Sequence, residues 1–255
     1  MTLEEKEIED KHKMLTFALT IFFGGLLFIN FLVITIFYSY SDWIAILVFS
    51  LLFIFPAYVS NAGMVLVGGG KPIDKGKYFR DGKRIFGDHK TWNGLIKGPL
   101  YVGIPISIGV ALIFLIFWPL IADFQRGSAK EGLYVIYEDI SYYQYYFIGG
   151  TFPIGFISLI VRIILCAYGA AIGDLIGSFL KRRFNLESGA PAPLIDQLDF
   201  AVFALLFTSI PAIIWPEYYW FPDINIIIFL IILTPSVSII ANTIAYLLGL
   251  KEVPW

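Results

Sequence analysis

The chain has 255 residues, of which 58% are apolar and only 15% are charged. Soluble proteins contain about 45–50% apolar and about 25% charged residues, so this composition excludes an ordinary soluble enzyme and indicates an integral membrane protein. Acidic and basic residues nearly balance at a net charge of −2, so we expect no nucleic-acid partner. The single cysteine, Cys166, cannot form an intramolecular disulfide.

Six apolar stretches predict six membrane-spanning helices, because lipid-exposed backbone must satisfy its own hydrogen bonds. The predicted spans cover residues 14–38, 43–67, 99–122, 147–178, 200–215 and 224–250. The first is too long for a signal-peptide core. The fifth is short and contains Pro211, and one interpretation extends it back through Asp199. The expected fold is an all-α polytopic membrane protein with one domain over residues 1–255.

Basic residues concentrate in two connections between the predicted spans. The first, residues 68–97, contains eight of them: Lys71, Lys75, Lys77, Arg80, Lys83, Arg84, Lys90 and Lys97. Three more, Lys181 to Arg183, open the second connection, so the two hold 11 of the 18 basic residues. Because basic loops stay on the cytoplasmic side, we expect loops 68–97 and 179–199 and both chain termini to be cytoplasmic.

Glycines and lysines together suggest an anion site in the first loop. Gly68, Gly69 and Gly70 let backbone N–H groups approach an anion, and nearby lysines supply positive charge for phosphate. The residue order is not that of a Walker A loop. The alternative is a flexible helix exit whose lysines only fix the membrane orientation. Three interleaved aspartates favour the binding site, because orientation alone does not require them.

The predicted fourth span carries a glycine stripe and a polar face. Gly169, Gly173 and Gly177 recur every four residues, which permits close packing against another helix. The adjoining face presents four polar residues in line, Asp174, Ser178, Lys181 and Arg182. A charged residue is expensive at the bilayer centre, so we expect Asp174 to face protein, water or an ion.

Two further carboxylates follow the second basic cluster. Asp196 and Asp199 are three residues apart, which places them on one face of a helix. Carboxylate oxygens bind Mg²⁺, and neighbouring Lys and Arg side chains neutralise nucleotide phosphates. Asp174, Asp196 and Asp199 therefore form a candidate Mg²⁺ site. The alternative is that Asp196 or Asp199 caps the N-terminus of a helix.

Three motifs resemble those of the CTP:phosphatidate cytidylyltransferases. That superfamily has a Ser-x-x-Lys-Arg element followed by Asp-x-x-Asp, which resembles Ser178-Phe179-Leu180-Lys181-Arg182 and Asp196-Gln197-Leu198-Asp199. Its Lys-Thr-x-Glu-Gly element resembles Lys90-Thr91-Trp92-Asn93-Gly94, with asparagine in place of glutamate. The sequences at 56–62, 68–74 and 80–87 resemble the archaeal branch, the CDP-archaeol synthases. The resemblance implies a core over residues 43–250, with span 14–38 as an N-terminal addition.

The resemblance also implies an activity, which is transfer of the cytidylyl group of CTP to 2,3-di-O-geranylgeranyl-sn-glycerol 1-phosphate in an archaeal cell membrane. In this interpretation Asp174, Asp196 and Asp199 hold Mg²⁺ on the triphosphate. Lys181 and Arg182 contact the lipid phosphate or the pyrophosphate, completing the catalytic set. The expected nucleotide-binding residues are Gly68, Gly69, Gly70, Asn61, Arg84, Lys90, Thr91 and Asn93.

Other functions remain as alternatives. An alternative lipid substrate for such an enzyme is a diacyl phosphatidate. A membrane anion-binding or transport protein is the alternative from another class, although transporters place ionisable residues near the midplane of several spans.

Arg162 lies midway along the predicted fourth span, and we expect it to extend outward or to serve a structural role. The sequence leaves assembly as a homo-oligomer open.

Overall fold

The computed structural model describes residues 3–186, 192 and 194–248, and every regular element in those segments is helical. A π-helical segment, Gly98–Gly103, joins the third and fourth helices into one continuous rod. Six spans are long and apolar enough to cross a membrane, which confirms the expected all-α polytopic fold. The α-helices are α1 Leu3–Phe37, α2 Tyr40–Leu66, α3 Trp92–Lys97, α4 Ile104–Lys130, α5 Ile140–Ile148, α6 Ile154–Arg183, α7 Ile195–Ile214 and α8 Ile224–Leu247.

Several predicted boundaries are wrong, and backbone conformation explains one of them. The predicted fourth span 147–178 combined two helices, since α5 ends at Ile148 and α6 begins at Ile154. Gly149 and Gly150 between them have φ of 82° and 125°, and such a left-handed glycine commonly ends a helix. The backward extension of the fifth span through Asp199 is confirmed. The last two residues of predicted span 224–250 lie outside the described residues.

The two basic loops are shorter than expected, because helix continues into both. The first was predicted over 68–97, but its last six residues form α3. The second was predicted over 179–199, but α6 runs on to Arg183 and α7 already begins at Ile195. The spans alternate in direction, so both loops lie at the same end of the bundle. We call this the charged end, defined by residues 67–91, 181–186 and 194–199.

The glycine stripe of α6 brings α7 into close contact. A methyl group added to Gly173 would lie 2.5 Å from the backbone oxygen of Asp199 and 2.8 Å from the Cα atom of Phe200. One added to Gly177 would overlap the Asp199 carboxylate. Helices that approach this closely leave no room for a β-carbon, so the stripe fixes Asp199 against α6.

A second close contact joins the π-helical segment to α2. A methyl group on Gly98 would lie 2.7 Å from the backbone nitrogen of Met64, and one on Gly63 would lie 2.7 Å from the Cβ atom of Val102. The start of the rod formed by α3, the π-helical segment and α4 therefore packs on the last turns of α2. This contact places α3 beside the residues that leave α2 at the charged end.

Buried charges stabilise the opposite end of the bundle. Asp42 is fully buried, and its carboxylate accepts hydrogen bonds from the backbone N–H groups of residues 135–137 at 2.9–3.0 Å. Arg162 is only 5% exposed and donates to the backbone oxygens of Tyr145 and Tyr146. Its guanidinium carbon also lies 4.7 Å from the ring centre of Tyr145. The expected structural role of Arg162 is confirmed, and the outward extension is wrong.

Helix α1 is the most peripheral span. Among the described elements it contacts α2 and α8 and none of the helices that carry the candidate site residues on α3, α6 and α7. One polar contact with α8 joins the hydroxyl oxygens of Thr20 and Thr243 at 3.1 Å. The core of the bundle is formed mainly by α2 and the helices that follow it, and α1 contributes the buried Ile34.

Candidate active site

The loop between α2 and α3 is organised around Asp74, whose side chain is fully buried. Its carboxylate accepts hydrogen bonds at 3.0 Å from the N–H groups of Gly76, Phe86 and Gly87, and at 3.2 Å from Arg84. Burial alone would raise the pKa of Asp74, but these hydrogen bonds together lower it to about 2. The carboxylate is therefore charged at neutral pH, and the loop folds around it.

Arg84 takes part in this fold, although we expected it to contact a nucleotide. It pairs with Asp88 at 2.6 Å and with Asp74 at 3.2 Å, and the hydrogen bonds with these carboxylates raise its pKa. The structure places Arg84 within the loop and outside the lining of the adjacent cavity. A nucleotide contact by Arg84 stays a prediction.

We expect Asp74→Asn to loosen this loop, because the amide cannot accept hydrogen bonds from three N–H groups and a guanidinium equally well. The loss is about 1.5–3 kcal/mol of loop stability. Tryptic cleavage at the loop lysines should accelerate, and Asp88→Asn, which changes an exposed carboxylate, should have a smaller effect. Since the folded pKa is depressed to about 2, the stabilisation is complete above the ordinary value near 4 and is lost only as the pH falls toward 2. A loop whose resistance to trypsin changes between pH 6 and 8 would contradict this assignment.

A cavity of about 410 Å³ lies between the end of α2, this loop, α3 and α6. That volume is within the range of small-molecule sites. Five of the eight predicted nucleotide-binding residues line it, together with one of the predicted metal ligands. These six residues are Gly68, Gly69, Gly70, Lys90, Thr91 and Asp174.

The glycine run forms one wall of the cavity. Gly69 and Gly70 have φ of 89° and 84°, a conformation that other residues rarely adopt. The amide nitrogen of Asn93 lies 2.8 Å from the position of a methyl group on Gly70, so the Asn93 side chain sits against this wall. Thr91 accepts a hydrogen bond from the N–H of Gly94 and thereby caps α3.

Lys90 and Asp174 connect the loop to α6 within the cavity. The ammonium group of Lys90 donates to both carboxylate oxygens of Asp174 at 2.7 Å. Each side chain is about one-quarter exposed, at 25% and 26%, so both groups are accessible to a ligand. The backbone oxygen of Lys90 accepts a hydrogen bond from Ile73, which holds this residue in the loop. Asp174 thus faces a protein side chain, which is one of the three environments expected for it.

A second ion pair lies where α6 and α7 approach each other. Lys181 contacts Asp196 at 2.8 Å, and Asp196 also accepts a hydrogen bond from the N–H of Ala192. The residue at the N-cap of α7 is Leu194, so the capping alternative for Asp196 and Asp199 is wrong. Of the two predicted basic contacts on α6, Lys181 pairs with Asp196 and Arg182 is 7% exposed.

Asp199 interacts electrostatically with members of both ion pairs. It interacts with Asp174, Asp196 and Lys90, and one carboxylate oxygen accepts a hydrogen bond from Phe200 at 2.6 Å. The structure thus gathers the three predicted carboxylates at one end of the bundle. Asn61, in contrast, is partly exposed on α2 and lies outside the cavity lining.

The carboxylates suit a magnesium ion by their chemistry. Mg²⁺ is usually held through one or two carboxylates, with water and substrate phosphate completing its shell. Within the described segments no three acidic, histidine or cysteine side chains are already gathered closely enough to hold a metal ion. Asp174 and Asp196 are instead each paired with a lysine. Direct binding of one ion by Asp174, Asp196 and Asp199 stays a prediction.

Sequence reasoning missed the two residues that shape the first loop, Asp74 and Arg183. Asp74 was noted only as one of the aspartates among the basic residues. Arg183 was counted only as one of three consecutive basic residues, yet its side chain contacts the loop about 100 positions earlier. The signal for Asp74 was a carboxylate within a glycine-rich loop, whereas no local pattern distinguishes Arg183 from its neighbours.

The fold and site together define a polytopic membrane protein with a cavity and paired charges at one end of its bundle. Residues 43–117 and 121–255 match the family model described as CarS-like, CDP-archaeol synthase. The chain therefore belongs to the CDP-archaeol synthase family, which confirms the resemblance. The family match begins after α1.

Curated relatives cover most of this chain. The CDP-archaeol synthase of Thermococcus onnurineus is 38% identical over 203 residues, which are 80% of this chain and 94% of the relative. That of Archaeoglobus fulgidus is 39% identical over 200 residues, or 78% and 93% of the two chains. A solved structure described as "Structural insight into an intramembrane enzyme for archaeal membrane lipids biosynthesis" is 26% identical, with a TM-score of 0.44 over 78% of this chain and 92% of that chain.

Proposed function

We propose that the protein transfers the cytidylyl group of CTP to 2,3-di-O-geranylgeranyl-sn-glycerol 1-phosphate, forming CDP-archaeol with unsaturated chains. An oxygen of the lipid phosphate forms a bond with the α-phosphorus of CTP, and the bond to the β-phosphate breaks, releasing pyrophosphate. Family membership supports this activity. The structural observation that carries it is the glycine-walled cavity in which Lys90 meets Asp174.

The main task of this site is to bring two polyanions together. Phosphoryl-transfer enzymes achieve this largely by positioning the reacting groups and neutralising their charge, and no general base is required here. Lys90 would bind the triphosphate from the loop side, and Lys181 with Arg182 would bind the lipid phosphate or pyrophosphate from α6. Arg84 and Thr91 would support the loop, with Asn61 and Asn93 toward the cytosine.

The two lysine–aspartate pairs balance the charges of the site. Lys90 and Lys181 are each neutralised by a carboxylate. Phosphate groups would attract both ammonium groups and release the carboxylates of Asp174 and Asp196. Together with Asp199 these side chains would then hold Mg²⁺, which supplies positive charge on the triphosphate when bound.

We propose that the charged end faces the cytoplasm of an archaeal cell. Ten of the 18 basic residues belong to its first loop and to the end of α6, and basic segments stay on the cytoplasmic side. Both chain termini would lie on that side. The geranylgeranyl chains would remain among the apolar spans, and assembly as a homo-oligomer stays open.

Incorporation of radiolabelled CTP into extractable lipid tests this function. Purified protein with Mg²⁺ should label digeranylgeranylglyceryl phosphate, and EDTA should abolish the reaction. Diacyl phosphatidate serves as the comparison substrate. Preferential labelling of the diacyl lipid would replace the proposed substrate. No labelling of either lipid by folded protein would contradict the transferase and favour an anion-binding or transport function.

A further inference from the structure

The first loop is attached to the end of α6 by contacts that involve Arg183. The guanidinium donates to the backbone oxygen of Arg84 at 2.7 Å, and its Nε atom lies 3.0 Å from the Asp81 carboxylate. In return, the ammonium group of Lys83 donates to the backbone oxygen of Arg183 at 2.8 Å. Three polar contacts therefore join one turn of helix to one short segment of the loop.

Aromatic rings complete this attachment. The guanidinium carbon of Arg183 lies 4.5 Å from the ring centre of Phe179 and 5.1 Å from that of Phe79. The two rings meet edge to face at 5.4 Å, one from α6 and one from the loop. Arginine stacks on aromatic faces while its N–H groups remain free to bind acceptors. We name this group the Arg183 clamp, and it consists of Arg183, Asp81, Lys83, Phe79 and Phe179.

The clamp and the cavity are connected through the loop. Arg183 does not line the cavity, and it lies nine residues from Asp174, about 14 Å along the helix axis. The backbone oxygen of Arg84 accepts the hydrogen bond from Arg183, and the side chain of Arg84 pairs with the buried Asp74 that organises the loop. The loop therefore meets α6 at two points, the clamp and the Lys90–Asp174 pair.

We propose that Arg183 is a positioning residue for nucleotide binding. By holding the loop on α6, it keeps Lys90 and the Gly68–Gly70 backbone at the distance from Asp174 that CTP requires. This inference rests on the proposed function. It predicts that loss of the clamp weakens CTP binding, while the rate at saturating CTP changes little, because the clamp touches none of the reacting groups.

Arg183→Gln tests the proposal, with Arg80→Gln as the matched control. Arg80 is an exposed basic residue of the same loop outside the clamp, so its substitution removes equal charge. Arg183→Gln should raise the Kd for labelled CTP, measured by equilibrium dialysis, and the KM for CTP by about tenfold or more, with kcat nearly unchanged. Arg80→Gln should change these constants much less. Equal effects of the two variants would overturn the clamp in favour of a general charge effect.

A second measurement keeps the result independent of turnover and of folding. Hydrogen exchange of residues 74–90 should accelerate in Arg183→Gln and in the milder Asp81→Asn, but not in Arg80→Gln. Arg183→Lys should recover only part of the CTP affinity, since lysine lacks the planar fork that bonds and stacks together. Unchanged loop exchange or unchanged CTP affinity in a folded Arg183→Gln protein would overturn the inference. Wild-type protein that binds no CTP would instead refute the proposed function.

Discussion

Asp174→Asn is expected to lower the rate of CDP-lipid formation by about 10²–10³-fold while the protein remains folded. This is the magnitude commonly lost when one preorganised electrostatic contact is removed from an active site. The asparagine keeps the shape of the side chain, but it is neutral, so it cannot neutralise Lys90 and would bind the proposed Mg²⁺ less well. The measurement is the initial rate of label transfer from CTP at saturating lipid.

A charge exchange separates catalysis from structure at this pair. The double variant Lys90→Asp with Asp174→Lys restores an ion pair between the loop and α6, so its thermal stability should approach that of the wild type. Its activity should stay low, because the cation and the carboxylate have exchanged places. Asp123→Asn, an exposed carboxylate on α4, is the matched control. Recovery of activity in the exchanged protein would show that the pair is only structural.

Gly173→Val is expected to destabilise the bundle by about 1–3 kcal/mol or more and to reduce activity with it. Overpacking of a tight contact costs this much, and the new side chain meets the α7 backbone at Asp199 and Phe200. Separation of the helices would also move Asp199 away from Asp174. Cys166 is the chain's only cysteine and is fully buried, so a thiol-reactive dye reports unfolding directly.

Gly109→Val provides the matched control for this prediction. Gly109 lies on another membrane helix, α4, and a methyl group there would meet no atom within 4 Å. The same change of side chain should therefore leave the unfolding temperature nearly unchanged. Equal unfolding temperatures for the Gly173 and Gly109 variants would contradict the importance of the α6–α7 contact.

The spans were predictable because the bilayer imposes a simple rule on apolar stretches, whereas their ends were not. Hydropathy cannot distinguish a helix that crosses the bilayer from a short one beside it, so Phe147 and Ile148 were assigned to the wrong helix. The break depends on the backbone conformation of Gly149 and Gly150. Similarly, hydropathy placed the start of the third span at residue 99, although the polar residues of α3 continue the same rod toward the charged end.

The candidate site was predictable where chemistry follows local spacing. The glycine run and Asp174 were identified from residue type and Lys90 from the family resemblance, and the structure brings them to one cavity. The pairings were not predictable, because Lys90 and Asp174 are 84 positions apart and many lysines compete for each aspartate. Arg84 shows the same difficulty, since a basic residue in a basic loop can face a ligand or fold the loop around Asp74.

The π-helical segment changes the direction in which side chains point along the rod formed by α3, this segment and α4. Each residue of an α-helix turns the chain by about 100°, and a π-helical turn accommodates roughly one residue more, so the helical phase slips by about that angle. Gly94 and Leu95 before the segment line the cavity, while Phe114 beyond it packs on Phe147 at 4.8 Å. Residues before and after the segment therefore face different directions around one helix axis. The backbone hydrogen bonding is not interrupted, and an interruption would be costly in a bilayer.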